Sequence, residues 1–454
     1  MGFWMLTAYG VGDILGAGIY ALVGEIADVA GSLSWLSFLL AGIVAGLTGL
    51  SYAELGSRFP YSGGEAYFVQ QALRRPWLSF LTGWLVFCSG LVSLAAIARA
   101  FADYASHLVP QVPESLLITF LVALLAFLAF VGIRISSSAN AVCTTIESMG
   151  LLIVAGSACL WLLSSSPGGD AAAVVPAVEA PQPAGLRQAF QGAALAFFAF
   201  IGFEDMVNVA EEVHQPERTI PRALLTALTT SVVIYVVVVL SATLVASAET
   251  LARSKAPLLA VLQISWPAFP LELFSVIALF AVANTGLANF VTSSRLVFGM
   301  SQQKLLPGWL GRINPKTHTP DLAVATCFLI GLGLALSGSL GQLAGATSFL
   351  ILLIFALMNL SLILIRRGGA NESGFQAPSV TPYVALLCCL ALLCFVSMDA
   401  MLTATAVAAV GLVLGLVRSH LPDSPSEHGD KPDAANADQA SNGTTFADNS
   451  PQDE

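Results

Sequence analysis

Charged residues are scarce in this 454-residue chain: they make up 10% of it, whereas hydrophobic residues make up 56%. A soluble domain carries roughly a quarter charged residues, so most of this chain does not face water. The formal net charge is -10, but residues 419–454 hold eight acids against one lysine and so account for -7 of it. The remainder is near neutral. No basic run is present, which argues against a nucleic-acid partner.

Motifs for metals, nucleotides and catalysis are also missing. The seven cysteines show no CxxC and no Cys/His spacing, so neither zinc nor a disulfide framework is indicated. There is no HExxH and no GxxxxGK[ST], so neither a zinc protease nor an ATP-driven machine is expected. We predict no cofactor, no metal and no enzymatic activity.

Long apolar stretches are abundant, and each is long enough to cross roughly 30 Å of hydrocarbon. The first is too long and too interrupted for a signal peptide. These stretches predict an all-α integral membrane protein with about twelve transmembrane helices. They are residues 3–27, 33–55, 77–99, 114–133, 140–163, 188–210, 223–247, 271–297, 321–338, 342–365, 380–397 and 400–417. The last two are separated only by Met398 and Asp399, which predicts a tight helical hairpin.

The distribution of lysine and arginine predicts the orientation. With the N-terminus in the cytoplasm, fourteen of the eighteen basic residues lie inside, and only Arg99, Arg187, Arg253 and Lys255 lie outside. We therefore predict a multi-pass protein of the cytoplasmic cell membrane with both termini inside. Surface ion pairing at the cytoplasmic ends is expected to explain Glu54. The polar stretch at 164–186 predicts a flexible external loop, and the acidic tail at 419–454 predicts disorder.

Two predicted spans contain glycine-dense interruptions beside acids. The first has four glycines from Gly10 to Gly18, with Asp13 among them. The sixth has Gly202 and Phe203 followed by two acids, Glu204 and Asp205. A broken helix survives in hydrocarbon only where it lines a cavity. Paired interruptions at corresponding positions of two halves indicate the central site of a transporter.

The chemistry of such breaks suits a zwitterion. An unwound helix leaves free amides at one half-helix N-terminus, which favour an anionic group. It leaves free carbonyls at the opposite end, which suit an ammonium group. The alternative is that the glycines are close-packing positions between helices, which membrane bundles favour.

Four motifs resemble those of the amino acid–polyamine–organocation (APC) superfamily of permeases. They are Gly10–Gly24 (GVGDILGAGIYALVG), Tyr52–Tyr67 (YAELGSRFPYSGGEAY), Phe198–Ala223, and Ser294–Pro307 with the Thr319–Pro320 step. They occur in the family's order. The resemblance implies a five-plus-five inverted repeat, LeuT-like, with discontinuous helices 1 and 6. The repeats would cover about 1–163 and 188–366 of a transporter domain at 1–418, with extra helices at 380–417.

The resemblance also implies roles for individual residues. Ile14, Leu15, Gly16, Ala17 and Gly18 would present backbone amides to a substrate carboxylate. At the second break, the carbonyls of Ala199, Phe200 and Ile201 beside Gly202 would lie near the substrate amine. Phe198 occupies the position of an aromatic gate, with simple packing in a Phe-rich helix as the alternative. Asp13 stands where such permeases usually have a small residue, and it would either favour amine substrates or join the coupling machinery.

Two further intramembrane acids are candidates for proton coupling, because burying an uncompensated charge there is costly. Glu204 follows the break in the sixth span, where family members carry an acid implicated in proton coupling. Glu147 lies in the fifth span, near the place where some relatives carry a lysine. We predict proton coupling through Glu204 first and Glu147 second. The alternative for each is a neutral, hydrogen-bonded structural acid.

Together these observations predict a secondary active transporter of amino acids that works by alternating access, through proton-coupled symport or exchange. Its partners would be a small-molecule substrate, protons and the lipid bilayer. A polyamine or organic amine carrier is the alternative among transporters. From another class, the chain could be an amino acid sensor on a transporter scaffold that signals through its acidic tail.

Overall fold

The computed structural model describes residues 1–61, 64–132, 137–164, 185–302, 306–315, 317, 319–369 and 374–419. Within these ranges all regular structure is helical and there is no strand. Residues 1–415 form one compact unit. Residues 165–184 of the predicted loop at 164–186, and the predicted acidic tail beyond Ser419, lie outside the described residues.

The helices follow one another with short connections. They are α1 (Phe3–Ile14), α2 (Ala17–Ala30), α3 (Ser34–Arg58), α4 (Gly64–Leu73), α5 (Pro76–Leu108), α6 (Glu114–Val131), α7 (Ser137–Ser164), α8 (Leu186–Ala196), α9 (Asp205–Asn208), α10 (Pro216–Val245), α11 (Ala248–Arg253), α12 (Pro257–Ser265), α13 (Leu271–Gln302), α14 (Asp321–Ser337), α15 (Leu340–Arg367), α16 (Thr381–Leu393) and α17 (Met398–Ser419). Short 3₁₀ turns occupy Gly31–Leu33, Phe197–Phe200, Ala210–Glu212 and Gly308–Gly311.

Every predicted apolar stretch overlaps a helix or, for the first and sixth, a helix that is interrupted. Among the described residues, eight helical segments are long and apolar enough to cross a membrane, with α1 to α3 counted as one. The number is nine if the pair α16 and α17 counts as a single bent span. α14 has only 17 residues. The protein is therefore a membrane protein whose described regular structure is all helical, and twelve crossings stay a prediction.

The last two helices differ in detail from the tight hairpin that the sequence predicts. α16 and α17 are bent by 108° at the intervening residues, which is less than a full reversal. Asp399 lies in the first turn of α17, where an acid is favourable beside the free amides of a helix start. The polar residues therefore begin a helix rather than form a separate turn.

Large apolar side chains cover the outside of the bundle. On α6 the exposed residues Leu116, Phe120, Leu124 and Phe127 recur at intervals of four, four and three, so they form one stripe along the helix. Similar exposed side chains occur on α7, α14 and α17. Contiguous apolar surface of this extent is rare on soluble proteins and matches a lipid environment.

The core forms where long helices pack side by side, with α3 along α10 and α5 against α13 and α15. The end of α3 contains an ion pair that corrects the predicted surface role of Glu54. Its carboxylate is fully buried and pairs with Arg58 and Arg366, and it accepts a hydrogen bond from the amide of Ala377 at 2.8 Å. The acid therefore ties α3 to α15 and to the segment before α16.

Candidate functional site

The first interruption separates α1 from α2 by two residues, Leu15 and Gly16, which are not helical. A Cβ on Gly16 would collide with the side chain of Thr285 on α13. That hydroxyl instead accepts a hydrogen bond at 3.0 Å from the amide of Ala17, the first residue of α2. The next two amides of α2, those of Gly18 and Ile19, have no partner within the helix because its N-cap is Gly16. The first break therefore exposes the positive end of a long helix.

The second interruption is more extensive. α8 gives way to the 3₁₀ turn Phe197–Phe200, Ile201 is extended, and a helix resumes only for the four residues of α9. Gly202 has φ of +125°, a conformation that residues with a Cβ rarely adopt. A Cβ there would also come within 2.7 Å of the carbonyl oxygen of Asp13. The second break therefore requires a glycine on both counts.

The two breaks are in direct contact. A Cβ on Gly18 would meet the Cα of Ala199 at 2.5 Å, so the missing side chain brings α2 against the 3₁₀ turn. The hydroxyl of Tyr235 on α10 lies within hydrogen-bonding distance of the carbonyl of Ile14 on one break and of Ala199 on the other, the second at 3.0 Å. Its single proton can be donated to only one of them at a time. Tyr235 therefore links the two breaks.

A small cavity of about 40 Å³ lies between the breaks. Nine of the eleven predicted substrate-binding residues line it: Asp13, Ile14, Gly16, Ala17, Gly18, Phe198, Ala199, Ile201 and Gly202. The two that do not are Leu15 and Phe200, both fully buried. The ring of Phe200 instead packs against Tyr235 with centroids 5.2 Å apart.

Other cavity residues come from α5 and α13, and sequence reasoning missed them. They are Ser93, Thr285, Ala288 and Asn289, of which Asn289 donates a hydrogen bond to the hydroxyl of Ser93 at 3.0 Å. Polar residues at regular spacing in an apolar span were the available signal. Tyr235 was missed as well, although a buried tyrosine hydroxyl needs a partner.

Two acids, Asp13 and Asp205, face the cavity. The Oδ2 atom of Asp13 is buried and has no hydrogen-bond partner among the described residues. Asp205 accepts a hydrogen bond from the side chain of Asn208 at 3.1 Å. No lysine, arginine or histidine is among the residues that line the cavity. The cavity therefore carries two acidic groups and no fixed cation.

The two acids predicted to couple protons lie elsewhere. Glu204 is buried behind the second break, where its carboxylate accepts a hydrogen bond at 2.9 Å from the amide of Gly202. Glu147 on α7 accepts one from Asn284 at 3.0 Å, and its other carboxylate oxygen is buried without a partner among the described residues. Neither side chain lines the cavity.

The second motif, Tyr52–Tyr67, lies beside the far end of the second break. Tyr52 donates a hydrogen bond to Glu65 on α4 at 3.2 Å. Burial raises the pKa of Glu65 to about 7. A Cβ on Gly64 would come within 2.6 Å of the side chain of Asn208, so α4 packs closely under α9.

Comparison with known proteins shows similarity to amino acid permeases and transporters. The family described as "Amino acid permease" matches residues 1–416. An uncharacterized transporter of Mycobacterium tuberculosis is 28% identical over 418 residues, 92% of this chain and 91% of that protein. The branched-chain amino acid permease BcaP of Bacillus subtilis is 28% identical over 87% of each chain. The vacuolar cationic amino acid transporter 2 of Arabidopsis thaliana is 31% identical over 80% of this chain and 59% of its own length.

An apolar helical bundle with two interrupted helices facing each other across a cavity defines a membrane transporter and not an enzyme. The match over residues 1–416 then identifies the family: the chain belongs to the amino acid permeases of the APC superfamily.

Proposed function

We propose that this protein is a secondary active transporter of amino acids that binds its substrate in the cavity between the two breaks. Family membership supports amino acid transport, and two relatives are named for amino acid substrates. The observation that carries the proposal is the direct contact of the two breaks around one cavity.

The cavity offers complementary groups to the two ends of an amino acid. The free amides at the start of α2, those of Gly18 and Ile19, are suited to the α-carboxylate. The carbonyls of the second break, at Ala199 and Ile201, are suited to the α-ammonium group. When Tyr235 donates its proton to Ile14, the carbonyl of Ala199 becomes available to a substrate. Phe198 lines the same cavity, so its proposed role as a gate remains consistent with its position.

A specific observation favours a second candidate among transporters, a carrier of cationic amino acids or polyamines. Asp13 and Asp205 both face the cavity, and no basic side chain lines it. Two carboxylates in such a place are strongly unfavourable unless a proton or a cation accompanies them. An ammonium group of the substrate would supply that cation. One relative is named a cationic amino acid transporter and another a branched-chain permease, so both substrate classes occur among similar proteins.

Proton coupling is proposed through Glu204 first and Glu147 second. The carboxylate of Glu204 accepts a hydrogen bond from the amide of Gly202, the residue with positive φ in the second break. A change in its charge would therefore act on the geometry of that break and, through it, on the cavity. Glu147 retains one carboxylate oxygen without a partner among the described residues, which leaves it able to take a proton.

The proposed transport cycle is alternating access. It assumes twelve spans, with inverted repeats at about 1–163 and 188–366 around the cavity and extra helices at 380–417. Both termini would be cytoplasmic, in the cell membrane. A sensor that signals through its tail is the alternative from another class.

The test is uptake into proteoliposomes of a radiolabelled panel of neutral amino acids, cationic amino acids and polyamines, with and without an inward proton gradient. We expect gradient-stimulated uptake of one group of amino acids. Uptake that is independent of the proton gradient but requires substrate inside the vesicles would indicate exchange instead of symport. Flux of cationic amino acids or polyamines without flux of neutral amino acids would favour the second candidate. No flux of any compound would contradict the proposal and favour the sensor.

A further inference from the structure

A second and larger cavity, of about 350 Å³, lies at the end of the bundle where α2 ends and α8 and α15 begin. We call it the Glu25 pocket. The residues on which its chemistry depends are Glu25, Gln191, Leu195, Gln342, Phe395 and Asp399. They come from α2, α8, α15, the α16–α17 connection and the first turn of α17.

The Glu25 pocket lies in line with the central cavity. On α2, Gly18 lines the central cavity, and Glu25 and Val29 line the pocket. These positions are seven and eleven residues apart from Gly18, so they share one face of the helix, and Glu25 is about 10 Å further along the axis. On α8 and its continuation, Leu195 lines the pocket and Phe198 the central cavity, one turn apart. A molecule in the pocket would therefore lie about 10 Å from the central cavity along α2.

The pocket is negatively charged. Of the described residues that line it, Glu25 and Asp399 are the charged ones, and Gln191 and Gln342 are neutral hydrogen-bonding groups. Arg187, the nearest basic residue along α8, is exposed and does not line the pocket. Among the described residues Glu25 has no hydrogen bond or ion pair, and it interacts electrostatically with two other acids, Asp28 and Asp103.

The carboxylate of Glu25 lies close to the start of α15. A Cβ on Gly341 would come within 2.5 Å of its Oε2 atom, so the acid lies directly against the first turn of α15. The positive end of a helix dipole stabilises an anion at such a position. Because Gly341 has no side chain, the carboxylate has room at this wall of the pocket.

Apolar groups complete the lining. Phe395 lines the pocket and stacks on Phe190 with ring centroids 5.2 Å apart. Leu195 and Val29 are further apolar lining residues. Two acids with apolar surface between them suit a molecule with cationic groups on a short hydrocarbon chain.

We propose that the Glu25 pocket binds organic cations, such as a basic amino acid or a diamine, and holds them before they enter the central cavity. The inference rests on the proposed transport function and adds a substrate class and a second site to it. With the predicted orientation, the pocket faces the outside of the cell.

The variants Glu25→Gln, Asp399→Asn and their combination remove charge and preserve size. Glu249→Gln is the matched control, because Glu249 is an exposed acid at the same end of the bundle, paired with Arg253 and absent from the pocket. Asp399 is exposed, so its substitution is not expected to disturb folding even if that of Glu25 does.

The readout is the concentration dependence of proteoliposome uptake for arginine and for leucine. In the double variant we expect the KM for arginine to rise about threefold to tenfold. The maximal rate and the KM for leucine should not change, and Asp399→Asn alone should show part of the effect. An arginine KM equal to that of Glu249→Gln in both the double variant and Asp399→Asn would overturn the proposal.

Direct binding separates failure of the pocket from failure of the proposed function. Titration calorimetry of the purified full-length protein with arginine and with putrescine needs no transport. If wild type binds a cation and the double variant binds it several-fold more weakly, the pocket stands even when no uptake is seen. If both proteins bind the cation equally well, the proposed binding role of the pocket is wrong even when transport is confirmed.

Discussion

The two breaks differ in how the chain continues after them. The first is two residues long and is followed by the 14-residue helix α2, so it ends in a helix start with free amides. The second passes through a 3₁₀ turn, an extended residue and a glycine with positive φ, and only the four-residue α9 follows. We therefore propose that the first break presents donors to the substrate and the second presents carbonyls, with its bend at Gly202.

Gly202→Ala is expected to have the largest effect on uptake, because the substitution is incompatible with the backbone conformation of the second break. The added Cβ would be strained at φ of +125° and would lie 2.7 Å from the carbonyl of Asp13. Uptake in proteoliposomes should be lost. Gly156→Ala is the control: its Cβ would meet nothing within 4 Å, so uptake should be unchanged. Normal uptake by Gly202→Ala would show that the second break is not required as described.

Glu204→Gln is expected to separate the geometry of the second break from its charge. A glutamine can still accept the hydrogen bond from Gly202, but it cannot carry a proton. Uptake stimulated by a proton gradient should fall at least about tenfold, whereas exchange of labelled for unlabelled substrate should persist. Glu212→Gln, at an exposed acid, should keep the stimulation. Full stimulation in Glu204→Gln would remove this acid from the coupling mechanism.

Tyr235→Phe removes the group that joins the two breaks while it preserves the buried ring. The carbonyls of Ile14 and Ala199 lose a donor, at a cost of about 1–3 kcal/mol for buried acceptors. We expect a lower apparent Tm and about tenfold weaker substrate binding, measured on the purified protein. Tyr383→Phe, at an exposed ring, should leave both unchanged. If Tyr235→Phe matches that control, the link between the breaks has no energetic role.

Thr285→Val tests the first break alone. Valine has nearly the shape of threonine but lacks the hydroxyl that accepts a hydrogen bond from the amide of Ala17. Affinity should fall about threefold to fivefold, because the start of α2 loses an anchor, and the second break should be unaffected. Thr326→Val is the control, since that hydroxyl only donates to a carbonyl of its own helix. Equal affinity in the two variants would argue against this anchor.

Glu65→Gln is expected to have the smallest effect on transport and a distinct effect on stability. Because burial raises the folded-state pKa of Glu65 to about 7, the folded protein holds a proton that the unfolded chain releases between pH 4.5 and 7. Protonated Glu65 therefore contributes to the free energy of unfolding at low pH. This contribution, about 3 kcal/mol at most, is lost as the pH rises from 4.5 through 7.

The apparent Tm of Glu65→Gln, relative to wild type, should accordingly increase from pH 5 to pH 8. Glu249→Gln, at an exposed acid, should follow the wild-type pH dependence. Parallel curves for wild type and Glu65→Gln would contradict the assignment. Such a result would leave the comparison of the two breaks intact, because Glu65 lies on α4 outside both.

Much of the fold and the location of the breaks could be predicted from the sequence. Apolar length marks a membrane helix, because hydrocarbon excludes other structure. Glycines beside acids marked both breaks, since such residues are unfavourable in an uninterrupted span. Family motifs added the residues from Ile14 to Gly18 and from Phe198 to Gly202.

Contacts between distant parts of the chain could not be predicted in this way. Thr285 lies 268 residues from its partner Ala17, and Tyr235 lies 221 residues from Ile14, so only tertiary packing brings them together. The same limit applies to the acids: position along a span does not reveal that Asp205 faces the cavity while Glu204 turns toward Gly202. Glu54, at the end of a span, gave no sign of its burial.

The most direct test is an electron cryomicroscopy structure of the protein with a saturating concentration of the substrate that uptake identifies. We expect density between the start of α2 and the 3₁₀ turn Phe197–Phe200, with the carboxylate at the amides of Gly18 and Ile19 and the ammonium group at the second break. Density that leaves this cavity empty, or that places the ammonium group at the start of α2, would contradict the account.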